Sequence, residues 1–271
     1  MNKVKVVLLT GGSSGIGAAT AKILADNGMT VYSGSRRGTA GTPTDGVIPI
    51  RLDVNDADSV KSAVEAILKN EGHLDALVCN AGNGIFGPVE GTTEEEARFQ
   101  FETCYFGALK CIEACLPIFR DQGYGRIITV TSVMAVLQLP FQGFYSSVKA
   151  ALLSLSESLS MELRGTGIEC CSILPGDVKT GFTAARKFTA YSREEDCPYK
   201  VEMKHNLEKI EKDETGGMEP EVIGKAILRQ LQRSHMKVRV IPRIDYKAVG
   251  FIVRILPEGW KLAILKKMYN G

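Results

Sequence analysis

The chain has 271 residues, 44% apolar and 24% charged, which excludes a disordered, collagen-like or coiled-coil protein and suits one large globular domain over residues 1–271. Its 33 basic and 31 acidic residues leave a formal charge of +2, far short of the broad basic field that nonspecific nucleic-acid binding uses, so no nucleic-acid partner is expected. Seven cysteines, an odd number that includes the adjacent Cys170 and Cys171, argue against a disulfide framework and for a reducing, cytoplasmic setting.

The first element is the apolar run Val4–Leu9, read as a buried strand because Val6–Leu9 is too short for a signal-peptide core. It ends in Thr10-Gly11-Gly12-Ser13-Ser14-Gly15-Ile16-Gly17, and a helix with Ala18, Ala19, Ile23 and Leu24 follows at once. Glycines let the backbone approach a pyrophosphate, and the free N–H groups and positive end of the new helix stabilise its charge. Gly11, Ser13, Ser14, Gly15, Ile16 and Gly17 are therefore candidate dinucleotide contacts.

The second strand, Thr30–Ser33, runs into Gly34-Ser35-Arg36-Arg37. In dinucleotide-binding folds an acid about 20 residues after the glycine loop meets a free ribose 2′-hydroxyl, whereas an arginine suits a 2′-phosphate. Two arginines and no acid favour NADP(H), with NAD(H) left open; a pair simply lying on a solvated loop is the other reading of Arg36 and Arg37. The third strand, Val47–Leu52, precedes Asp53 and Val54. Asp53 suits either the adenine amino group, with Val54 lining the ring, or a plain helix N-cap. A fourth strand spans Ala76–Cys79.

The fifth strand, Arg126–Thr131, leads to Ser132, and thirteen residues later Tyr145-Ser146-Ser147-Val148-Lys149 opens a helix. Tyr145 and Lys149, four apart, share one helical face. A neighbouring ammonium and a cationic nicotinamide ring would favour the phenolate and lower the phenol pKa, making Tyr145 an acid/base; Ser132 would bond the reacting oxygen. Pocket lining is expected from Val133, Met134, Val136, Leu137, Phe141 and Phe144, a mostly apolar set that suits a bulky lipophilic ketone or alcohol.

A sixth strand covers Ile168–Leu174 and a seventh Lys237–Ile241, separated by a long charged and aromatic stretch over residues 178–217 that reads as a functional or mobile insertion. The last segment, residues 244–271, mixes Phe251, Ile252, Trp260 and Leu262 with Arg254, Lys261, Lys266 and Lys267, with Pro257 expected to break it in two. Packing on its own domain or a subunit is the favoured reading, and peripheral membrane contact the other. His73, His205 and His235 are dispersed without ligand spacing, so no metal is expected. No 18-residue uncharged apolar segment occurs. Strands alternating with helical patterns predict an α/β protein, a Rossmann-type doubly wound parallel sheet of about seven strands with helices on both faces.

Taken together, these motifs resemble the short-chain dehydrogenase/reductase family in its single-domain branch, and most of all its hydroxysteroid and retinol dehydrogenase-type members. The resemblance covers roughly residues 3–183 and rests on the glycine loop, Asp53, Asn80-Ala81-Gly82, Ser132, Tyr145, Lys149 and Pro175-Gly176-x-Val178-x-Thr180. It implies that Asn80, Ala81 and Gly82 steady the cofactor-side loop, although Asn80 also reads as a plain turn residue. It further implies that Lys149 binds the nicotinamide ribose, that Pro175, Gly176, Val178 and Thr180 border the carboxamide, and that the chain forms a homodimer or homotetramer. One departure stands out: Cys104 occupies the place, three residues before Gly107, where the family has an asparagine that holds a proton-relay water. A thiol is a weaker donor and acceptor, so a slower relay, or one rerouted through Thr103 or water, is expected.

The expected activity is NADP(H)-dependent interconversion of a ketone and a secondary alcohol on a steroid- or retinoid-like substrate. A 3-ketoacyl-carrier-protein reductase shares the same residues, and a catalytically lapsed NADP(H)-sensing protein is the alternative of another class.

Overall fold

The computed structural model describes residues 4–38, 45–243 and 256–269. Seven strands, β1 (Val6–Thr10), β2 (Thr30–Ser35), β3 (Val47–Arg51), β4 (Ala76–Cys79), β6 (Gly125–Val130), β7 (Ile168–Ile173) and β9 (Arg239–Val240), form one parallel sheet in the order β3-β2-β1-β4-β6-β7-β9. A separate two-stranded parallel pair joins β5 (Ile85–Phe86) to β8 (Lys187–Phe188). The helices are α1 (Gly15–Asp26), α2 (Ala57–Glu71), α3 (Glu94–Phe101), α4 (Gly107–Gln122), α5 (Gly143–Glu162), α6 (Phe182–Ala185), α7 (Lys200–Thr215), α8 (Pro220–Leu231) and α9 (Glu258–Tyr269).

Strand periodicity divides the core into two layers. Val6 and Leu8 join Leu77 and Ile127 on one face, against Val64 and Ile67 of α2, Cys115 and Phe119 of α4 and Leu152 of α5. Val7 and Leu9 point the other way and join Val78, Ile128 and Ile173 against Leu24 of α1 and Ile223 and Ile227 of α8. Successive side chains of a strand alternate faces, so a fully apolar run such as Val6–Leu9 is stable only where both faces are covered. The strand order reverses between β1 and β4, and in such sheets the crevice at that switch point, beyond the carboxyl ends of the strands, is where ligands bind.

The sheet matches the expected seven strands, with shifted ends: β1 begins at Val6 rather than Val4, and β9 keeps two residues of the expected Lys237–Ile241. The insertion over 178–217 holds α6, β8, a 3-10 turn at Tyr191–Arg193 and α7. Its Cys197, Met203 and Ile210 join Phe86 of β5 in a small core flanked by Phe141, Phe188, Tyr191 and Tyr199. Of the expected C-terminal segment, residues 244–255, including Phe251, Ile252 and Arg254, and residues 270–271 lie outside the described residues; α9 starts directly after Pro257. Among the described residues no helix is long and apolar enough to cross a membrane.

Candidate active site

The glycine loop closes the carboxyl end of β1. Gly11 adopts φ +67°, a left-handed conformation that favours glycine, and a side-chain carbon there would come within 2.8 Å of the Ala81 Cα. At Gly17 it would lie 2.1 Å from the Gly11 carbonyl oxygen and 2.7 Å from the Asn80 amide nitrogen. Asn80 is the brace of this turn: its Nδ2 donates to the carbonyls of Thr10 (3.0 Å) and Gly11 (3.2 Å), while the N–H groups of Asn80 and Ala81 donate to the Thr10 hydroxyl at 3.0 Å. Its side chain thus does more than a plain turn residue's. Ser14 precedes α1 in extended conformation without a side-chain cap bond, and the first turn carries no acid, so the positive end of the helix is not neutralised from within. Thr180, at the start of the insertion, packs 3.2 Å from the position a Gly15 side chain would take.

Beyond β2, Arg36 and Arg37 are exposed and make no ion pair among the described residues. Sequence reasoning missed two neighbours. Ser35 is buried with its hydroxyl unpartnered among the described residues, as is Ser33, and Arg51 of β3 lies in register with Ser35. Only the adjacency of Ser35 to Arg36 could have signalled the first; the second depends on strand register. Asp53 accepts from the Asn55 N–H at 3.0 Å, whereas α2 is capped by Asp56, which accepts from Asp58 N–H at 3.0 Å. The N-cap reading of Asp53 is therefore corrected. Val54 is buried against Gly107.

Ser132, Tyr145 and Lys149 converge after β6. Ser132 lies near enough to Tyr145 to favour its phenolate, and the Ser132 Oγ accepts from Met134 N–H at 3.1 Å. The Lys149 ammonium, on a buried side chain, donates to the Val130 carbonyl at 3.1 Å and lies 5.6 Å from the centre of the Tyr145 ring. Burial pushes the Tyr145 phenol above its ordinary pKa, and Lys149, the next largest influence, pulls it down without reversing that. Lys149 thus lowers the value as expected, while desolvation, the larger influence, leaves it above the ordinary one.

After β7, Val133 N–H donates to the Pro175 carbonyl at 2.8 Å, which ties the Pro175-Gly176 turn to the serine loop. Val178 bridges to Met218 through Met218 N–H to Asp177 O and Lys179 N–H to Met218 O, both 2.9 Å. That bridge uses neither the N–H nor the C=O of Val178 itself, while its side chain packs in the core. Phe182, from the insertion, lays its ring 5.7 Å from the Tyr145 ring and over Gly84. One pocket expectation is corrected: Val133 turns into an interior cluster with Ala135, Leu153 and Leu174. Phe141 takes φ +60° and packs between Phe86 (5.9 Å) and Tyr199 (6.0 Å), which hold this unfavourable backbone in place.

Cys104 is buried in a π-helical turn, Glu102–Phe106, that joins α3 to α4. A side-chain carbon at Gly82 would sit 3.6 Å from its sulfur and 3.8 Å from the Lys149 nitrogen, so position 104 does face the lysine. The thiol lies among Asn83 N–H (3.4 Å), Asn83 Oδ1 (3.5 Å) and Gln100 Nε2 (3.3 Å). Gln100, fully buried, also accepts from Ile85 N–H at 2.8 Å. No sequence signal identified Asn83 and Gln100, because they meet only through the fold.

Residues 5–190 match the family described as short chain dehydrogenase. The chain is 36% identical over 255 residues, covering 93% of itself and 90% of its counterpart, to a 3-ketodihydrosphingosine reductase of Bacteroides thetaiotaomicron. It is 35% identical over 192 residues, 65% of this chain and 58% of the other, to the human 17-beta-hydroxysteroid dehydrogenase type 1. The crystal structure of a short-chain dehydrogenase from Streptomyces avermitilis superposes with a TM-score of 0.83 at 29% identity, covering 99% and 98% of the two chains. With the family match over more than half of its length and a relative 36% identical over 93% of it, the chain belongs to the short-chain dehydrogenase/reductase family, whose members are oxidoreductases acting on alcohol and carbonyl groups.

Proposed function

We propose that the protein reduces a long-chain lipid ketone to a secondary alcohol using NADPH. The observation that carries this reading is the convergence of Ser132, Tyr145 and Lys149 beside a glycine cradle that no side chain could fill. The substrate class draws support from the likeness to a 3-ketodihydrosphingosine reductase over nearly the whole chain, from the Phe182 ring packed on Tyr145 and from the apolar cluster of Phe86, Phe141, Phe188 and Met203. A steroid or retinoid is the narrower alternative, supported by the shorter match to the hydroxysteroid dehydrogenase.

The cradle residues suit a dinucleotide. Gly11, Ser13, Ser14, Gly15, Ile16 and Gly17 would hold the pyrophosphate at the start of α1, with Asn80, Ala81 and Gly82 bracing the loop. Arg36 and Arg37, with the unpartnered hydroxyl of Ser35, would hold a ribose 2′-phosphate. Asp53 and Val54 would border the adenine, and Lys149 the nicotinamide ribose. Pro175, Gly176, Val178 and Thr180 would border the carboxamide, with the N–H and C=O of Val178 turned away from its bridge. When bound, the nicotinamide supplies the hydride.

The chain's own residues handle the proton. Tyr145, kept protonated by burial, donates its phenolic proton to the carbonyl oxygen as charge develops there. Ser132 donates a second hydrogen bond to the same oxygen. Lys149, fixed by the Val130 carbonyl, stabilises the phenolate that results. A turnover screen of NADPH and NADH against long-chain 3-ketones, steroids, retinoids and acyl thioesters, with Tyr145→Phe as control, tests this. NADPH binding with no turnover of any carbonyl would favour the lapsed sensor instead.

The reading extends to the surroundings. Exposed Trp260, Leu262 and Ile264 on α9, followed by exposed Lys266 and Lys267, support peripheral contact with an anionic lipid surface, while Tyr269 anchors the helix end on α7 below Lys209. Exposed Phe106 beside α4 and Met161 on α5 support self-association as a homodimer or homotetramer, in a cytoplasmic setting. Vesicle flotation and sedimentation test the two.

A further inference from the structure

The insertion contains a buried ion pair for which the proposed chemistry has no use. Arg186 is 6% exposed and its Nη2 pairs with Oε1 of Glu214 at the end of α7. The Thr183 hydroxyl donates to Oε2 of the same carboxylate at 2.5 Å. Both carboxylate oxygens are therefore engaged, yet Nη1 of Arg186 is buried with no hydrogen-bond partner among the described residues. Guanidinium N–H groups out of water and out of contact with an acceptor are costly, so a buried Nη1 without a partner calls for an account of what it meets.

The location limits what that acceptor is. Arg186 directly follows α6, whose Phe182 ring lies against Tyr145, and the next residue, Lys187, donates its N–H to the Gly84 carbonyl at 2.9 Å. The Glu214 carboxylate is near enough to Tyr145 to oppose ionisation of the phenol, and Asp177 lies within the field of Glu214. Arg186 is therefore separated from the ring packed on the tyrosine only by the short helix α6. The same insertion elements also carry members of the small apolar core, Phe188 from β8 and Met203 and Ile210 from α7. Thr180, before α6, meets the glycine loop, and Arg186 directly follows the same helix. A single fork of donors within apolar walls is how a pocket fixes the polar end of a mostly hydrophobic ligand.

We propose that Nη1 of Arg186 receives an acceptor oxygen, a hydroxyl, carboxylate or phosphate oxygen, on the head of the substrate whose carbonyl faces Tyr145. Arg186 is then a specificity residue, held in place by Glu214 and Thr183, that selects ketones with a polar head over plain ketones. The inference rests on the reductase reading above.

The test uses a pair of long-chain ketones that differ only in a hydroxyl group two carbons from the carbonyl, together with the corresponding pair of alcohols. Arg186→Met alone leaves Glu214 buried without its partner and risks the fold, so the informative variant is Arg186→Met with Glu214→Met, in which neither charge is stranded. The wild type should prefer the hydroxylated ketone, and the double variant should lose about 10- to 100-fold in kcat/KM for it relative to the plain one, with the NADPH Kd unchanged. Retained preference in the folded double variant would overturn the proposal and leave the pair a structural tether. A weakened NADPH Kd with preference retained would also overturn it, by assigning the acceptor to the cofactor. Should the wild type reduce neither ketone, the reductase reading fails on its own; calorimetric binding of the two alcohols with NADP+ present then decides the Arg186 claim by the same ratio.

Discussion

The Lys149 ammonium sits 5.6 Å from the centre of the Tyr145 ring and is held there by the Val130 carbonyl. It stabilises a phenolate without overcoming the burial that keeps the phenol protonated. A pKa above the ordinary 10 means that the acid form dominates across neutral pH, the form a ketone reduction requires. We expect kcat/KM for reduction to stay flat across neutral pH and to fall only on the alkaline side, whereas alcohol oxidation, which needs the phenolate, climbs with pH. pH profiles of both directions check this; an alkaline limb for reduction near pH 7 would contradict it.

Removing the members of this group should separate their roles. Tyr145→Phe is expected to lower kcat by about 10²–10⁴, and Ser132→Ala by about 10²–10³, both with NADPH affinity retained. Lys149→Met should lower kcat and weaken NADPH together, because the same ammonium would hold the ribose. Fluorescence titration beside steady-state kinetics distinguishes the cases.

Cofactor choice rests on the edge formed by Ser35, Arg36 and Arg37. Arg36→Ala with Arg37→Ala should weaken NADPH by about 10- to 100-fold and leave NADH unchanged. If the unaltered protein uses NADH as well as NADPH, the arginines have no such role.

The Cys104 thiol lies among Asn83 and Gln100 and faces the lysine side of Gly82. Cys104→Asn is expected to raise turnover and move its pH profile, since an amide donates and accepts more strongly than a thiol. Unchanged turnover and profile would dismiss the relay argument. Gln100→Ala should instead lower stability by about 1–3 kcal/mol, because it leaves the buried Ile85 N–H without its acceptor; denaturant unfolding measures that.

Gly17 tests the cradle directly. With the Gly11 carbonyl 2.1 Å from where its side chain would be, Gly17→Ala must displace backbone. Both NADPH affinity and Tm should drop, and an unchanged affinity would show that the loop does not hold the pyrophosphate.

Much of this protein follows from the sequence by itself. Seven strands, the glycine loop at the end of β1, and the pairing of Tyr145 with Lys149 were legible because each is a local matter: side-chain alternation, backbone freedom at glycine, and the four-residue repeat of a helix. Tertiary structure alone decided the rest. Whether Val133 faces a pocket or the interior, which aspartate caps α2, and where Asn83 meets Gln100 depend on how elements distant in sequence pack. The contest over the Tyr145 proton likewise depends on how much water the fold excludes around it, a quantity with no local signature, and so does the meeting of Arg186 with Glu214, 28 residues on.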